Sequence, residues 1–265
     1  MVKPQERRDY LQSLERGLSV ILAFSNHRPH LSLGDLAEAT GLSRPTVRRI
    51  VLTLEELGYI HSEGRQFSLT PHVLALGNAY LSSLNITEVA QPFMEEVTRI
   101  TGQTCSLAAL DGDHAMTLAR VPTRRVLSIT LTTGSRLPAY ATSMGRVLLA
   151  GLPDTELDSF LENAELDPLT PRTTTDPDQL RTIIAEVRQQ GWALVDQELE
   201  EGVRSFSAPI RDFTGRVLAS LSMSCATVQV SLETIREEHL PALIKTARDI
   251  SERLGAHIGR DDEAG

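Results

Sequence analysis

Between Ser43 and Thr53 the chain carries three arginines, Arg44, Arg48 and Arg49, and no carboxylate. Arg44 and Arg48 are four apart, so on a helix they stand one turn apart on one face. Guanidinium forks on a protruding helix match guanine edges or phosphate oxygens in a major groove. Ser43, at the head of that helix, and the free N–H groups of the first turn suit a phosphate oxygen. Pro45 and Thr46 complete the first turn, and Arg65, at the tip of Ser62-Glu63-Gly64-Arg65, can reach an adjacent phosphate or the minor groove. The candidate duplex-binding set is therefore Ser43, Arg44, Pro45, Thr46, Arg48, Arg49 and Arg65. A second group lies far along the chain. Thr142 or Ser143 would cap the apolar helix containing Val147-Leu148-Leu149, and a helix N-terminus flanked by hydroxyls is a ready carboxylate site. Tyr140 offers a flat apolar wall with a hydroxyl handle. Further on, Asp196 and Glu198 are placed to pair with Arg204, beside Ser205, as structure. Arg120, Arg124, Arg125 and Arg136 read as solvated, with Arg136 near enough in sequence for a second clamp.

These side chains need elements to hold them. Apolar residues at Leu11, Leu14, Leu18, Ile21 and Leu22 predict an amphipathic helix over 11–24. Ser32, with Asp35 three residues on, begins a short helix over 33–39. Gly41 supplies a left-handed turn. Ser43 caps a third helix, with Pro45 in its first turn, where the missing N–H costs nothing, and Val47, Ile50, Val51, Leu54 and Leu57 as its buried stripe. Residues 59–61 and 66–69 read as a hairpin. Two helices joined by a glycine-containing turn, then a hairpin, make a winged helix-turn-helix. Thr70-Pro71 opens a long helix through Leu84, read as a linker that also packs against a partner. Beyond a helix over 89–101, strands are expected at 104–110, 115–121, 126–131, 193–196, 206–211 and 217–225. Helices are expected at 144–150, 154–161, 177–190 and 231–254. That is an α+β domain with a largely antiparallel sheet. The boundaries expected are 1–70 for DNA binding, 71–86 for the linker helix, 87–257 for an effector and oligomerisation domain, and 258–265 for a frayed tail.

Composition removes several alternatives. The 265 residues hold 26 Lys and Arg against 35 Asp and Glu, a formal charge of -9, which excludes a uniformly basic nucleic-acid coat. The excess acid is not shared evenly: residues 1–70 hold nine basic and eight acidic side chains, the remainder 17 and 27. Aromatics at 4% argue against single-strand binding by stacked rings, and the acidic body argues against an architectural DNA binder. No apolar run approaches the ~18 residues of a membrane span, and the N-terminus has no secretory h-region, so a cytoplasmic protein is expected. Cys105 and Cys225 form no CxxC pair, and the seven histidines no HxH or HExxH. Neither GxSxG nor a P-loop occurs, so no metal, cofactor or enzymatic activity is expected. An enzyme acting on small carboxylic acids is the remote alternative.

Residues 10–257 resemble the IclR family of bacterial transcription factors. The match is carried by LSLGDLAEATGLSRPTVRRIVLTLEEL (31–57) with the wing YIHSEGRQFSLT, by RLPAYATSMGRVLL (136–149), and by GWALVDQELEEGVRSFSAPI (191–210). The last two strings are similar to the branch that regulates the β-ketoadipate pathway, the Pca and Pob regulators. The resemblance implies a winged helix-turn-helix, a linker helix and a GAF-like effector domain, assembled as a homodimer or dimer of dimers on repeated operators. It places the effector pocket at the loop and helix start containing Thr142, Ser143, Met144 and Gly145, closed on its other side by the segment from Asp196 to Ser205, where Arg204 would meet a ligand carboxylate and Ser205 or Asp196 a ring hydroxyl. The implied effector is a small aromatic or dicarboxylic acid: protocatechuate, 4-hydroxybenzoate or β-ketoadipate. A family repressor of another carbon-catabolic operon, sensing a small keto acid, is the alternative.

Overall fold

The computed structural model describes residues 10–25, 28–76, 86–123 and 131–256. The chain divides into two compact units, Met1–Leu84 and Asn85–Gly265.

In the first unit α1 (Gln12–Leu22) is followed by β1 (Leu31–Ser32), α2 (Leu33–Thr40) and α3 (Arg44–Glu56). The strands β2 (Ile60–Glu63) and β3 (Gln66–Leu69) come next. Capping sets the helix starts. Ser32 Oγ accepts from Asp35 N at 3.3 Å while Ser32 N donates to Asp35 Oδ2 at 2.8 Å, a reciprocal box that satisfies two otherwise orphaned donors. That carboxyl sits below its ordinary range, chiefly because it accepts the Ser32 backbone N–H. Gly41, at φ +67°, ends α2 in the left-handed region, and Ser43 caps α3. Val47, Val51 and Leu54 of α3 bury against Val20, Leu31, Leu36 and Ile60. The strand order is β1-β3-β2, all antiparallel, so the hairpin β2–β3 is the wing. The leucine stripe expected to bury α1 does not: Leu11, Leu14, Leu18 and Leu22 are 46–80% exposed, and Val20 carries the burial. Periodicity identifies an apolar face, and here two faces compete. Most of the expected linker helix lies outside the described residues, which show a 3-10 turn at Pro71–Val73.

The second unit is built on a six-stranded antiparallel sheet in the order β6-β5-β4-β9-β8-β7. Its strands are β4 (Thr104–Asp111), β5 (His114–Val121), β6 (Arg136–Pro138), β7 (Ala193–Asp196), β8 (Val203–Arg211) and β9 (Val217–Ala226). The helices are α4 (Ile86–Thr101), α5 (Ser143–Ala150), α6 (Asp154–Asn163), α7 (Pro177–Gln190) and α8 (Leu240–Arg253). A π-helical turn, Ile235–His239, leads into α8, in place of the one uninterrupted helix that the pattern predicts. The strand expected at 126–131 falls almost wholly outside the described residues, as does the tail 258–265. Arg136–Pro138 is a strand too short to carry a period-two signal.

Because side chains alternate along a strand, the sheet has two unlike faces. One carries Leu107, Phe206, Leu221 and Met223, all fully buried. The Thr101 hydroxyl of α4 lies 3.9 Å from Met223 Sδ, and His239 stacks on Phe206, so α4 and the α8 segment cover this face. The other carries Ser106, Ala108, Ser205, Ser207, Ser220, Ser222 and Ser224, placed side by side by the register. Helix α5 packs there through Met144 and Leu148 on Ala108 and Ala115, and Ser143 Oγ meets Ser207 Oγ at 2.7 Å.

Gly145 fixes how close α5 can come. A Cβ built there would stand 2.2 Å from the Ala139 carbonyl oxygen, which is backbone and has little freedom to retreat. Gly145→Ala should therefore destabilise the second unit by about 2–3 kcal/mol, at the upper end of overpacking costs. Urea unfolding checks this; a drop under about 0.5 kcal/mol, the scale of an ordinary surface change, would show that the helix shifts freely.

Candidate DNA face and effector cavity

On the first unit, Arg44, Pro45, Arg48, Arg49 and Arg65 line one open cleft between the start of α3 and the wing, with Gly34 of α2 at its edge. The four arginines are exposed. Among the described residues none of them pairs with a carboxylate. Arg44 lies across the first turn of α2, its Nη2 3.3 Å from where a Gly34 Cβ would be. Ser43 is engaged as the cap, its Oγ accepting from Thr46 N at 3.4 Å and 2.8 Å from Thr46 Oγ1. Thr46 turns toward α1 instead of the cleft. The structure thus gathers five of the seven expected residues in one cleft and uses Ser43 and Thr46 to hold the helix start.

On the second unit a small cavity of about 40 Å³ lies over the hydroxyl face of the sheet. Its floor and sides carry Ser106, Ser205, Ser222, Ser224 and Thr142; Met144, Leu131, Leu137 and Leu199 supply apolar wall. Among the described residues the one charged side chain lining it is Arg120. Arg120 is half-buried, donates to the Leu131 carbonyl at 3.1 Å, and has no carboxylate partner among the described residues. Burial holds its guanidinium below the usual arginine value, though arginine stays charged.

Three of the eight expected effector residues, Thr142, Met144 and Ser205, line this cavity, and five do not. Tyr140 is buried in a hydrophobic cluster with Leu149, Leu157 and Ile184, its hydroxyl donating to the Asp167 carbonyl at 2.8 Å. That burial pushes the phenol up. Ser143 bonds Ser207, and the Gly145 N–H is taken by Thr142 Oγ1 at 3.1 Å, so the helix start is internally capped. Asp196 and Arg204 pair at 2.7 Å, Arg204 also donates to the Val230 carbonyl at 3.0 Å, and Arg172 reaches Asp196 at 3.3 Å. Their register explains this placement: Asp196 opposes Arg204, whereas Val195 opposes Ser205. Ser205 and Val195 therefore face the cavity, and their immediate neighbours face away. Glu198 does not meet Arg204; it takes both terminal nitrogens of Arg146 at 2.6–2.7 Å. Arg136 is tied to Asp111 at 3.0 Å on the surface.

Arg120 reaches the cavity through an irregularity. Leu107 opposes Ala119 and Ala108 opposes Thr117, so Leu118 is passed over. This bulge puts Arg120 opposite Ser106, on the hydroxyl face; strict alternation from Thr117 would have turned it away. The run Ala219-Ser220-Leu221-Ser222-Met223-Ser224 was the one available signal for the polar floor.

A helix-turn-helix with a basic cleft and wing, together with a separate α+β unit holding a cavity of hydroxyls and aliphatic side chains, defines a DNA-binding transcriptional regulator. Residues 13–64 match the IclR helix-turn-helix domain and residues 78–252 the bacterial transcriptional regulator IclR C-terminal domain. The chain belongs to the IclR family. It is 43% identical over 247 residues to the Pca regulon regulatory protein of Pseudomonas putida, covering 93% of this chain and 85% of that one. A transcriptional regulator from Rhodococcus sp. RHA1 is similar at 48% identity and TM-score 0.82, over 92% of this chain and 98% of that one. An IclR homolog of Microbacterium hydrocarbonoxydans, complexed with 4-hydroxybenzoate, is similar at 25% identity and TM-score 0.81, over 91% and 98%. Among the described residues no helix is long and apolar enough to cross a membrane.

Proposed function

We propose that the chain is a cytoplasmic, effector-responsive regulator of aromatic-acid catabolism, not an enzyme, which binds operator DNA through α3 and the wing. Its effector is a small hydroxylated aromatic monocarboxylate of the 4-hydroxybenzoate or protocatechuate kind, held in the cavity on the hydroxyl face. The observation that carries this reading is Arg120: a half-buried guanidinium facing a cavity otherwise lined by hydroxyls and aliphatic wall. Such a guanidinium meets a carboxylate with short, charge-assisted bonds, while Ser106, Ser205, Ser222 and Ser224 suit ring hydroxyls. A dicarboxylate such as β-ketoadipate is disfavoured, because its second charge would be buried without a cation. The 4-hydroxybenzoate complex of the Microbacterium relative supports the same ligand class.

A ligand in the cavity would lie against Leu131 and Leu199, from two separate loops, and fix both. Binding therefore favours one arrangement of the second unit, the differential affinity that any ligand switch requires. An affinity ratio of about 100 between two states couples roughly 2.7 kcal/mol to DNA binding. Three arginines in α3 are few for one chain, which favours a dimer or dimer of dimers on a two-part operator. The exposed Leu11, Leu14, Leu18 and Leu22 face of α1 offers a seam for a second copy. Thermal-shift screening with 4-hydroxybenzoate, protocatechuate and β-ketoadipate tests the ligand. A saturating monocarboxylate at a hundredfold excess over its Kd should add about 2.7 kcal/mol, and β-ketoadipate less. A larger response to β-ketoadipate, or to none of the three, would refute the assignment.

A further inference from the structure

The flank of α3 away from the wing carries its own chemistry. A groove between α1 and α3 is lined by Ser13 and Arg16 from α1 and by Thr46, Arg49 and Thr53 from α3. Two guanidiniums and three hydroxyls line it, with no carboxylate among the described residues that do so. Neither Arg16 nor Arg49 is in an ion pair among the described residues. At 3.6 residues per turn, Arg44 and Arg48 lie about 40° apart, and Thr46 and Thr53 about 20° apart on another side. Arg49 stands between the two pairs and borders both the wing cleft and this groove. A helix seated in a major groove about 12 Å wide lies between two phosphate backbones, so both of its flanks meet phosphodiesters.

We infer that Arg16, with Arg49, clamps a DNA backbone phosphate on the side of the major groove away from the wing. The inference rests on the DNA-binding reading above and extends the DNA face to α1, beyond the seven residues expected from sequence. It also sorts the arginines. Arg44 and Arg48, on the wing side of α3, are the ones free to read base edges, whereas Arg16 and Arg49 position the helix without reading sequence.

The test measures binding of the full-length protein to the DNA flanking its own gene and to a random-sequence duplex, across a salt series. Arg16→Ala should weaken both by roughly tenfold per bound chain, leaving their ratio unchanged. The slope of log affinity against log salt should fall by about 0.9 for each phosphate no longer neutralised. Arg16→Lys, which keeps the charge, should retain the slope. Arg48→Ala should instead narrow the gap between the two DNAs. An Arg16→Ala slope equal to wild type, whatever the affinity, overturns the clamp and assigns Arg16 a structural role. Wild-type protein that retains neither duplex overturns the DNA-binding reading, and the clamp with it.

Discussion

Glu198→Ala is expected to lower the stability of the second unit by about 3–5 kcal/mol, the cost of leaving a buried charge without its partner. Arg146 and Glu198 are 3% and 12% exposed at the side chain. The pair ties three segments together. Arg146 Nε donates to the Tyr140 carbonyl at 2.8 Å, ahead of α5, and Thr174 N donates to Glu198 Oε2 at 2.9 Å. The Thr170 and Thr173 hydroxyls bond the carbonyls of Gln197 and Glu198. Gln197 itself sits at φ +66°, a conformation that costs a residue with a Cβ about a kcal/mol and is held here by those bonds. The next residue but one is Leu199, a wall of the cavity. Urea unfolding of Glu198→Ala should show the destabilisation, and a double Arg146→Met, Glu198→Leu variant should recover most of it, since well-packed apolar side chains often replace a buried ion pair without penalty. A single variant within about 0.5 kcal/mol of wild type, the usual range of surface substitutions, would mean that the pair does not hold the wall.

The second large effect is on ligand binding. Arg120→Met should weaken binding of a monocarboxylate effector by about a hundredfold, or roughly 2.7 kcal/mol, because a buried carboxylate would lose its counter-charge. The fold should persist, since among the described residues the Arg120 side chain makes only one hydrogen bond, to the Leu131 carbonyl. Arg204→Ala should do the reverse: lower stability by removing the closer of the two guanidiniums on Asp196 and the donor to the Val230 carbonyl, while the stable fraction binds ligand as before. Isothermal titration of both variants separates them. If Arg204→Ala abolishes binding in a folded protein and Arg120→Met does not, the assignment of the two arginines is inverted.

Local rules carried the first unit. The Ser32–Asp35 box, the Gly41 turn and the Ser43 cap each depend on residues within one turn and stand where their spacing put them, and the α3 stripe buries at Val47, Val51 and Leu54, while Leu57, expected in it, is exposed at the helix end. In the second unit the helix Pro177–Gln190 and the strand Ala193–Asp196 were equally legible, bounded by Asp176, Pro177 and Gly191. What was not legible depends on partners distant in sequence. Arg204 and Ser205 are adjacent, and only pairing with β7 decides which one enters the cavity. Tyr140 looked like a ligand wall because its own loop is polar, but Leu157 and Ile184, from two later helices, enclose it. On α1 the leucines predict a helix correctly, yet periodicity cannot say which of two apolar faces the same chain will cover.

The passed-over Leu118 has a consequence for how such a sensor can change. On the proposed reading its specificity rests on parity: the one-residue bulge in β5 turns a positive charge toward the cavity. Point mutation can trim the pocket's hydroxyls one at a time, whereas one extra codon between Thr117 and Ala119, with the bulge kept, would bring Ala119 opposite Ser106 and turn the charge away in one step. A lineage departing from acidic inducers would therefore be expected to show an insertion in this strand before its serines drift, and loss of Leu118 alone would straighten the strand and keep the charge inward.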